Sequence, residues 1–399
     1  MKSYRRFLFW LGGACSFLLI LLLMGCTAKR SEVSPSHEGV DLRMTGLEPP
    51  SLEAGDFRLT GLLDIAVAAI SQAEGPVCFS PAGFCHALGM AEAGAAGETL
   101  SQLQRVALPK IEERQDSALT LSVANAVWVD ENFRLAPSYL QRVETTFDAS
   151  ASPIPLQRQP EESAGVINAW SKEHTEGMIE RLVDAQAIAG ADLVLTNAIY
   201  FKGLWATPFS PEETRSAIFH GRKGDRREQM MTMLSSRVGC HFSDGGALAV
   251  LPYANGEYFL AVYLPPEERP NAIPAGKDLM AMYDSVRSGE SVHLSLPRFR
   301  LKSSLRLNGL LSSLGVTAPL GPGADFSPMT EGKNDLFIQS VLQSAEVEVN
   351  EVGTEAAAST AIIMVRSAAM PKVFRADRPF LFFVCQGDIS RVLFAGRVE

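Results

Sequence analysis

The spacing of apolar residues predicts a mixture of helices and strands from about residue 54 to the C-terminus. A first amphipathic helix is predicted from the helical spacing of Phe57, Leu59, Leu62, Leu63, Ala66, Val67 and Ile70. Further helices are predicted over 168–177 and 305–314. Apolar or alternating runs predict strands over 77–79, 121–128, 193–209, 247–251, 258–264, 291–301, 336–350 and 379–398. These elements are typical of an α+β protein.

The segment 351–374 has an unusual composition for a single element. Three consecutive alanines at 356–358 favour a helix, whereas the later Thr360, Ile362, Ile363 and Val365 favour a strand. No residue between Glu355 and Arg366 carries a charge, so the segment could enter a sheet interior at little desolvation cost. On these local signals alone, an Ala-rich helix or a surface loop remains an alternative.

The composition is that of a globular protein and argues against a general nucleic-acid partner. Of the 399 residues, 46% are hydrophobic and 20% are charged, and the net charge is −9. A chain of this length suggests two or three domains. A local basic cluster is predicted to be a solvated hairpin, with a polyanion site as the alternative; it comprises His220, Arg222, Lys223, Arg226 and Arg227.

The first 25 residues read as a targeting segment. Lys2, Arg5 and Arg6 precede an uncharged, mostly apolar run over 7–24, and residues 23–26, Leu-Met-Gly-Cys, resemble the lipobox of bacterial lipoproteins. This predicts a lipidated Cys26, a polar tether over 26–53, and a bacterial outer-membrane location facing the periplasm or the exterior. An uncleaved membrane anchor is the alternative.

The motifs of an enzyme are absent from the sequence. It contains no Gly-x-Ser-x-Gly elbow, His-Glu-x-x-His, P-loop or dinucleotide fingerprint, and its six histidines lack metal-ligand spacing. We therefore expect no catalysis, no metal and no cofactor. Four cysteines are expected as buried free thiols, with a disulfide as the alternative: Cys78, Cys85, Cys240 and Cys385.

Two C-terminal motifs resemble those of the serpins, the serine protease inhibitor family. Residues 351–360 resemble the hinge of the serpin reactive loop, and residues 374–382 resemble the C-terminal signature. The hinge assigned by this resemblance comprises Glu351, Gly353, Thr354, Glu355, Ala356, Ala357 and Ala358.

Other motifs extend the resemblance over about 54–399. They assign positions in the shutter, which controls opening of the central sheet, and in the breach, where the loop first enters: Ser80, Asn197, Trp205, Arg298 and Gln343. Arg298 is expected to pair with Glu351. Two residues depart from the usual pattern, because Gly83 stands where a second serine is common and Gln343 where a histidine is usual. The departures predict an altered hydrogen-bond network.

The resemblance implies one large domain with three β-sheets, about eight or nine helices and an exposed reactive loop over about 352–373. It implies a monomer that inhibits a serine protease, or a cysteine protease as a second class, as a suicide substrate. The protease attacks the loop, and the cleaved loop inserts into the main sheet before the acyl-enzyme is hydrolysed. A non-inhibitory carrier or chaperone is the alternative function.

Three residues are candidates for the position before the cut bond. Spacing from Gly353 selects Ser367, and spacing from Phe374 selects Ala368. We expect cleavage after Arg366, because a cation that enters an acidic protease pocket provides a large specific binding term.

Overall fold

The computed structural model describes residues 40–41, 61–106, 114–175, 177–332, 335–354 and 370–399. The domain start expected near residue 54 lies outside these ranges. So do several predicted site residues: Cys26, Glu355, Ala356, Ala357, Ala358, Arg366, Ser367 and Ala368.

Eight α-helices occur in the described ranges. They are α1 (Leu62–Gln72), α2 (Pro81–Glu92), α3 (Gly97–Leu103), α4 (Pro137–Phe147), α5 (Pro160–His174), α6 (Ala185–Ile188), α7 (Gly276–Asp284) and α8 (Asn308–Ser313). The start of α2 follows directly from the sequence, because the Ser80 hydroxyl accepts a hydrogen bond from Gly83 N at 3.0 Å and Pro81 occupies the first turn.

Two predicted helices differ in extent from those observed. The fifth helix begins at Pro160, earlier than the predicted 168, because proline at the first turn and two following glutamates favour a helix start there. The eighth helix begins at Asn308, because Leu305 and Arg306 are paired in a strand with Gln343 and Leu342. Tertiary pairing outweighs the local helical spacing at these two residues.

The main sheet has eight strands. They are β1 (Val40–Asp41), β13 (Phe299–Arg306), β14 (Ile338–Val349), β6 (Leu193–Leu204), β4 (Leu119–Asp130) and β3 (Arg114–Gln115) in spatial order, with β15 (Gly353–Thr354) paired to β6 and β5 (Ser150–Ile154) paired to β4.

Two smaller sheets complete the fold. The six-stranded sheet runs β2 (Val77–Phe79), β18 (Val392–Val398), β17 (Phe380–Gln386), β11 (Tyr258–Leu264), β10 (Gly246–Pro252) and β9 (Gly239–Ser243). The four-stranded sheet runs β16 (Lys372–Arg375), β12 (Val292–Pro297), β8 (Gly224–Ser235) and β7 (Arg215–Gly221).

The centre of the main sheet is a parallel pair, β14 and β6. Their register runs from Ile338 opposite Leu193 to Glu346 opposite Tyr200, and it ends there. Beyond that point β14 remains paired with β13 as far as Val349, while β6 continues to Leu204. The two central strands therefore separate at one end of the sheet, and this fork positions the candidate site.

Helix α5 covers one face of the central strands. Its Ile167 and Trp170 pack in an apolar cluster with Trp128 of β4 and Val194 of β6. The Trp128 and Trp170 rings meet edge to face, with their centroids 5.7 Å apart. Any strand that enters between β6 and β14 must move beneath this helix.

Candidate functional site

The fork between β14 and β6 is occupied by the start of the predicted reactive loop. After β14, the chain reverses in a tight turn in which Asn350 N donates to Gly353 O at 2.9 Å and the Asn350 side chain accepts from Val352 N at 3.1 Å. Strand β15 then runs antiparallel to β6, with Gly353 opposite Leu204 and Thr354 opposite Gly203. The hinge thus already provides two residues of an additional strand.

Gly353 is required at this turn by close backbone approach. A Cβ atom at this position would lie 2.0 Å from the Gly203 carbonyl oxygen and 2.8 Å from Leu204 Cα. The family resemblance assigned Gly353 to the hinge, and the structure supplies a physical reason for a glycine there. Its missing side chain, and not an unusual backbone angle, allows β15 to reach β6.

Thr354 is fully buried in this conformation. Its hydroxyl oxygen lies 2.9 Å from that of Tyr253, which is also fully buried. The Tyr253 ring stacks on Trp205 with a centroid separation of 4.6 Å, and the Trp205 indole donates to Asn350 O at 2.9 Å. The predicted breach tryptophan therefore holds both the turn and the tyrosine that contacts the hinge.

Glu351 is held by an ion pair at the base of the turn. Both carboxylate oxygens accept hydrogen bonds from Arg298 Nε, at 2.7 and 2.8 Å, and one also accepts from the Thr214 hydroxyl at 2.5 Å. Burial of Glu351 opposes its ionisation, but the bonds from Arg298 and Thr214 outweigh burial and hold the pKa of the carboxyl below its usual value. The expected pair of Arg298 and Glu351 is thus present.

The other predicted cluster lies further along the same two strands. Gln343 precedes Val349 by six positions along β14, about 20 Å at the rise of a strand. Gln343 Oε1 accepts from Ser80 N, and its Nε2 donates to Ser80 O and to Asn197 Oδ1, each at 2.8 Å. The Ser80 hydroxyl donates to Leu393 O at 2.6 Å. Ser80, Asn197 and Gln343 therefore form one buried contact across the central strand pair.

Gly83 and Gln343, the two departures from the family pattern, both lie next to the Asn197 amide. A Cβ atom at position 83 would lie 2.2 Å from Asn197 Oδ1, so Gly83 leaves the space that the Asn197 amide occupies. Gln343 then supplies both a donor and an acceptor, which join Asn197 to the Ser80 backbone. Each polar group of Gln343 therefore has a partner.

Four participating residues were not identified from the sequence. Tyr253 and Thr214 contact the hinge, while Asn125 and His86 extend the Ser80–Asn197–Gln343 contact into β4 and α2. The polar positions of Asn125 and His86 within otherwise apolar runs were a usable signal, but only the packed structure identifies their partners.

The structure also locates the basic cluster and the four cysteines that the sequence analysis singled out. The basic cluster lies on the β7–β8 hairpin as predicted, and Arg222 and Arg226 pair with Glu399 and Glu228. Cys78, Cys85, Cys240 and Cys385 are free and buried, and burial raises the pKa of Cys240 to about 12. Within the part of the chain that the structure describes, no cluster of side chains could hold a metal ion.

Comparison with known proteins identifies the family. The model of the family described as Serpin (serine protease inhibitor) matches residues 64–399. The chain belongs to the serpin family. The expected serpin fold and the expected function, inhibition of serine proteases, are thereby confirmed.

Individual relatives resemble this serpin over most of their length. Serpin-Z2A of Oryza sativa subsp. japonica is 35% identical, and the match covers 80% of this chain and 90% of the relative. Leukocyte elastase inhibitor of Sus scrofa is 33% identical and covers 82% and 94%.

Solved structures agree with the fold. Serpin48 of Tenebrio molitor is 25% identical, with a TM-score of 0.75 over 87% of this chain and 98% of that one. Uncleaved ovalbumin is also 25% identical, with a TM-score of 0.75 over 86% and 99%.

Proposed function

We propose that this serpin inhibits its protease by inserting the cleaved reactive loop between β6 and β14, starting from the hinge at β15. The observation that carries the proposal is the pairing of Gly353 and Thr354 with β6 in the antiparallel direction. An inserted loop would continue that direction. The fork where β14 and β6 separate leads directly to the line along which the strands must part.

The strand directions favour the inserted state. At present β6 and β14 pair in parallel from Leu193 to Tyr200 and from Ile338 to Glu346. A strand that continues β15 would be antiparallel to both, and antiparallel pairs are slightly more stable per residue. Insertion also adds a second ladder of hydrogen bonds. Residues 354–367 span roughly 45 Å as a strand, enough to carry an attached protease across the molecule.

The target class depends on which bond is cut. Cleavage after Arg366 would suit a trypsin-like protease, and cleavage after Ser367 or Ala368 would suit an elastase- or subtilisin-like pocket. Relatives named leukocyte elastase inhibitor support an elastase-like target, whereas the arginine favours a trypsin-like one. Arg366 is therefore the first candidate for the residue before the cut bond, with Ser367 and Ala368 as alternatives.

Incubation with trypsin-, elastase- and subtilisin-like proteases tests both points. We expect a complex that survives denaturing electrophoresis and a released C-terminal peptide whose mass identifies the cut. A peptide that begins at Ser367 supports Arg366, and one that begins at Ala368 or Ala369 supports the small-residue bonds. The same protease with its active-site serine blocked is the control and should form no complex. Cleavage without a complex for every protease would instead support a non-inhibitory serpin.

A lipid anchor at Cys26 is the second part of the proposal. It rests on the sequence of residues 1–26, and it places the serpin domain at a bacterial outer membrane. Cys26→Ser should abolish labelling by a fatty-acid probe and release the protein in detergent-free extraction. A mutant that stays in the membrane would support an uncleaved anchor over residues 7–24.

Among the described residues, no helix is both long and apolar enough to cross a membrane.

A further inference from the structure

A chain of buried side-chain hydrogen bonds crosses the main sheet and ends at a histidine. Asn197 Nδ2 donates to Asn125 Oδ1 at 2.9 Å, and Asn125 Nδ2 lies 3.0 Å from His86 Nδ1. Together with the bonds of Gln343, these contacts link the Ser80 backbone to α2 through β14, β6 and β4. His86 and Asn125 are each only 4% exposed.

The first link determines the direction of every bond in the chain. Ser80 N–H can only donate and Ser80 C=O can only accept, so Gln343 must present Oε1 to the first and Nε2 to the second. The same Nε2 then requires Asn197 to present Oδ1.

The orientation of Asn197 then determines which atoms of Asn125 and His86 donate and which accept. With Oδ1 facing Gln343, Asn197 presents Nδ2 to Asn125, whose own Nδ2 is then left to donate to His86. His86 Nδ1 must therefore accept a hydrogen bond. This pattern of donors and acceptors requires a neutral His86 whose proton is on Nε2.

Protonation of His86 conflicts with this network. Both ring nitrogens of a charged histidine are donors, so Nδ1–H would face the Asn125 amide NH₂. Rotating the Asn125 amide moves the donor–donor contact to Asn197, and rotating Asn197 moves it to Gln343. The Ser80 backbone holds Gln343, so the closed sheet always retains one such contact. Separating β6 from β14 removes it, because Asn197 and Asn125 can then rotate freely.

Several ionisable groups lie on the elements around α2. The elements that pack against α2 carry the following ionisable residues: Asp64, Glu98, Asp130, Tyr139, Arg142, Glu144, Tyr200, Lys202, Glu346, Glu348 and Arg397. Arg142 donates to Ala93 O, Glu346 pairs with Arg300, and Arg397 pairs with Glu399. Cys85 on α2 and Tyr139 on α4 are buried, which raises the pKa of each. The Phe147 ring of α4 packs on the His86 ring at 5.4 Å.

We propose that His86 makes closure of the main sheet sensitive to protons. Neutral His86 completes the chain that holds β6 to β14, and protonated His86 favours their separation at the line where a strand inserts. The inference uses the insertion site of the proposed function, but opening of the sheet can be measured without a protease.

The size of the effect follows from linkage. An opened sheet lets His86 take up a proton at the ordinary histidine pKa of about 6.5, while the closed sheet excludes the proton. The contribution of neutral His86 to closure is therefore present well above pH 6.5 and is lost progressively as the pH falls through that value. The ratio of open to closed sheet rises by a factor of about 11 at pH 5.5 and about 1.1 at pH 7.5, a tenfold change between them.

Amide hydrogen exchange of residues 193–204 and 338–349 measures this opening. After correction for the intrinsic pH dependence of exchange, protection in the wild type should fall about tenfold from pH 7.5 to pH 5.5. His86→Gln offers Asn125 an acceptor that does not titrate, so its protection should change less than about twofold. His220→Gln is the control, because His220 lies on the exposed β7–β8 hairpin and bonds Asp225; it should keep the wild-type response.

Either of two results would overturn the proposal. One is a wild type whose protection does not fall, and the other is a His86→Gln protein that loses protection as the wild type does. If that variant does not fold, ¹⁵N NMR of histidine-labelled wild type decides, since a His86 protonated at Nδ1 in the closed protein contradicts the network. Complex formation with a protease at pH 7.5 is a separate measurement, so failure of the proposed function would be recognised independently.

Discussion

At the scale of single residues, the site depends on two glycines that leave room for other groups. Gly83 leaves space for the Asn197 amide, and Gly353 leaves space for the Gly203 carbonyl. Neither has the left-handed backbone that usually explains a glycine. Their contribution is the absence of a side chain at a close contact, which allows two hydrogen-bonded clusters to form around the same pair of strands.

Gly83→Ser introduces the serine that is common at this position in other serpins. In this protein it should weaken the contact between Asn197 and Gln343. The new Cβ would be 2.2 Å from Asn197 Oδ1 and would displace the amide from Gln343. Overpacking of this kind costs about 1–3 kcal/mol, and chemical denaturation should show that loss of native-state stability. Gly165→Ser is the matched control, since this helical glycine has no neighbouring atom within 4 Å of a Cβ. Equal stability of the two variants would contradict the steric interpretation.

The Glu351 carboxylate should make the hinge sensitive to acid in a lower pH range than His86. Its pKa is lowered in the folded state, so the stability it contributes is present above the ordinary value of 4.5 and is lost as the pH falls below it. Glu351→Gln should therefore lower stability by about 1–2 kcal/mol at pH 7, a modest value because Arg298 is partly exposed, and the difference should shrink below pH 4.5.

Thermal unfolding of Glu351→Gln and wild type from pH 7 to pH 3 measures this difference. Glu131→Gln removes an exposed ion pair with Arg158 and should match the wild type throughout. A gap between Glu351→Gln and wild type that stays constant down to pH 3 would show that the carboxylate charge is not the cause.

At the scale of elements, the turn at 350–353 sets where a strand can enter the sheet. Its backbone bonds reverse the chain after β14. The Trp205 indole donates to Asn350 O within the turn, and the Tyr253 hydroxyl contacts the hydroxyl of Thr354, the residue that follows. Insertion of the loop as a central strand would bury Thr354 in the sheet. In the structure Thr354 is already buried, so a change at this residue acts on the uncleaved protein as well as on insertion.

Thr354→Arg should convert the inhibitor into a substrate. An arginine here would bury an unpaired charge beside Tyr253 at a cost of several kcal/mol, which slows insertion relative to hydrolysis of the acyl-enzyme. The number of inhibitor molecules consumed per trapped protease should rise severalfold. Thr354→Ser keeps a hydroxyl for Tyr253 and should retain the wild-type number. An unchanged number for Thr354→Arg would contradict insertion from β15.

At the scale of the whole molecule, the parallel contact of β6 and β14 leaves the uncleaved fold short of its most stable arrangement. Both strands are buried and central, yet they pair directly with each other, while the residues able to lie between them belong to the loop. The rest of the fold is well packed, with apolar clusters on both faces of the main sheet. In the proposed mechanism, the free energy that drives inhibition comes from replacing this parallel contact with two antiparallel ones.

Cleavage of the loop should stabilise the protein. Fourteen inserted residues that each gain about 1 kcal/mol of hydrogen bonding and packing provide on the order of 10 kcal/mol, which would raise the unfolding temperature by about 15 °C. Differential scanning calorimetry of cleaved and uncleaved protein measures this shift. Protein cut in an exposed surface turn, such as 221–224, is the control and should not gain stability. A cleaved loop without a gain would contradict storage in the sheet.

The sequence alone determined the type of most elements and, through family motifs, several site residues. Periodicity predicted the strands around Asn197 and Gln343, and the hinge motif identified Gly353, Thr354 and Glu351. Local chemistry was sufficient there, because alternation and capping depend on neighbours within a few residues. It was insufficient at Leu305 and Arg306, where pairing with β14 outweighs helical spacing.

Only the tertiary structure decided how distant residues meet. Ser80 and Gln343 are 263 residues apart in sequence, and Tyr253 and Thr354 are 101 apart, so no local pattern pairs them. A Cβ atom at position 83 would lie 2.2 Å from Asn197 Oδ1, and only the folded structure reveals this close approach. Such separations result from the packing of whole strands and helices. The sequence determined which groups could form hydrogen bonds, and the packed fold decided which of them face each other.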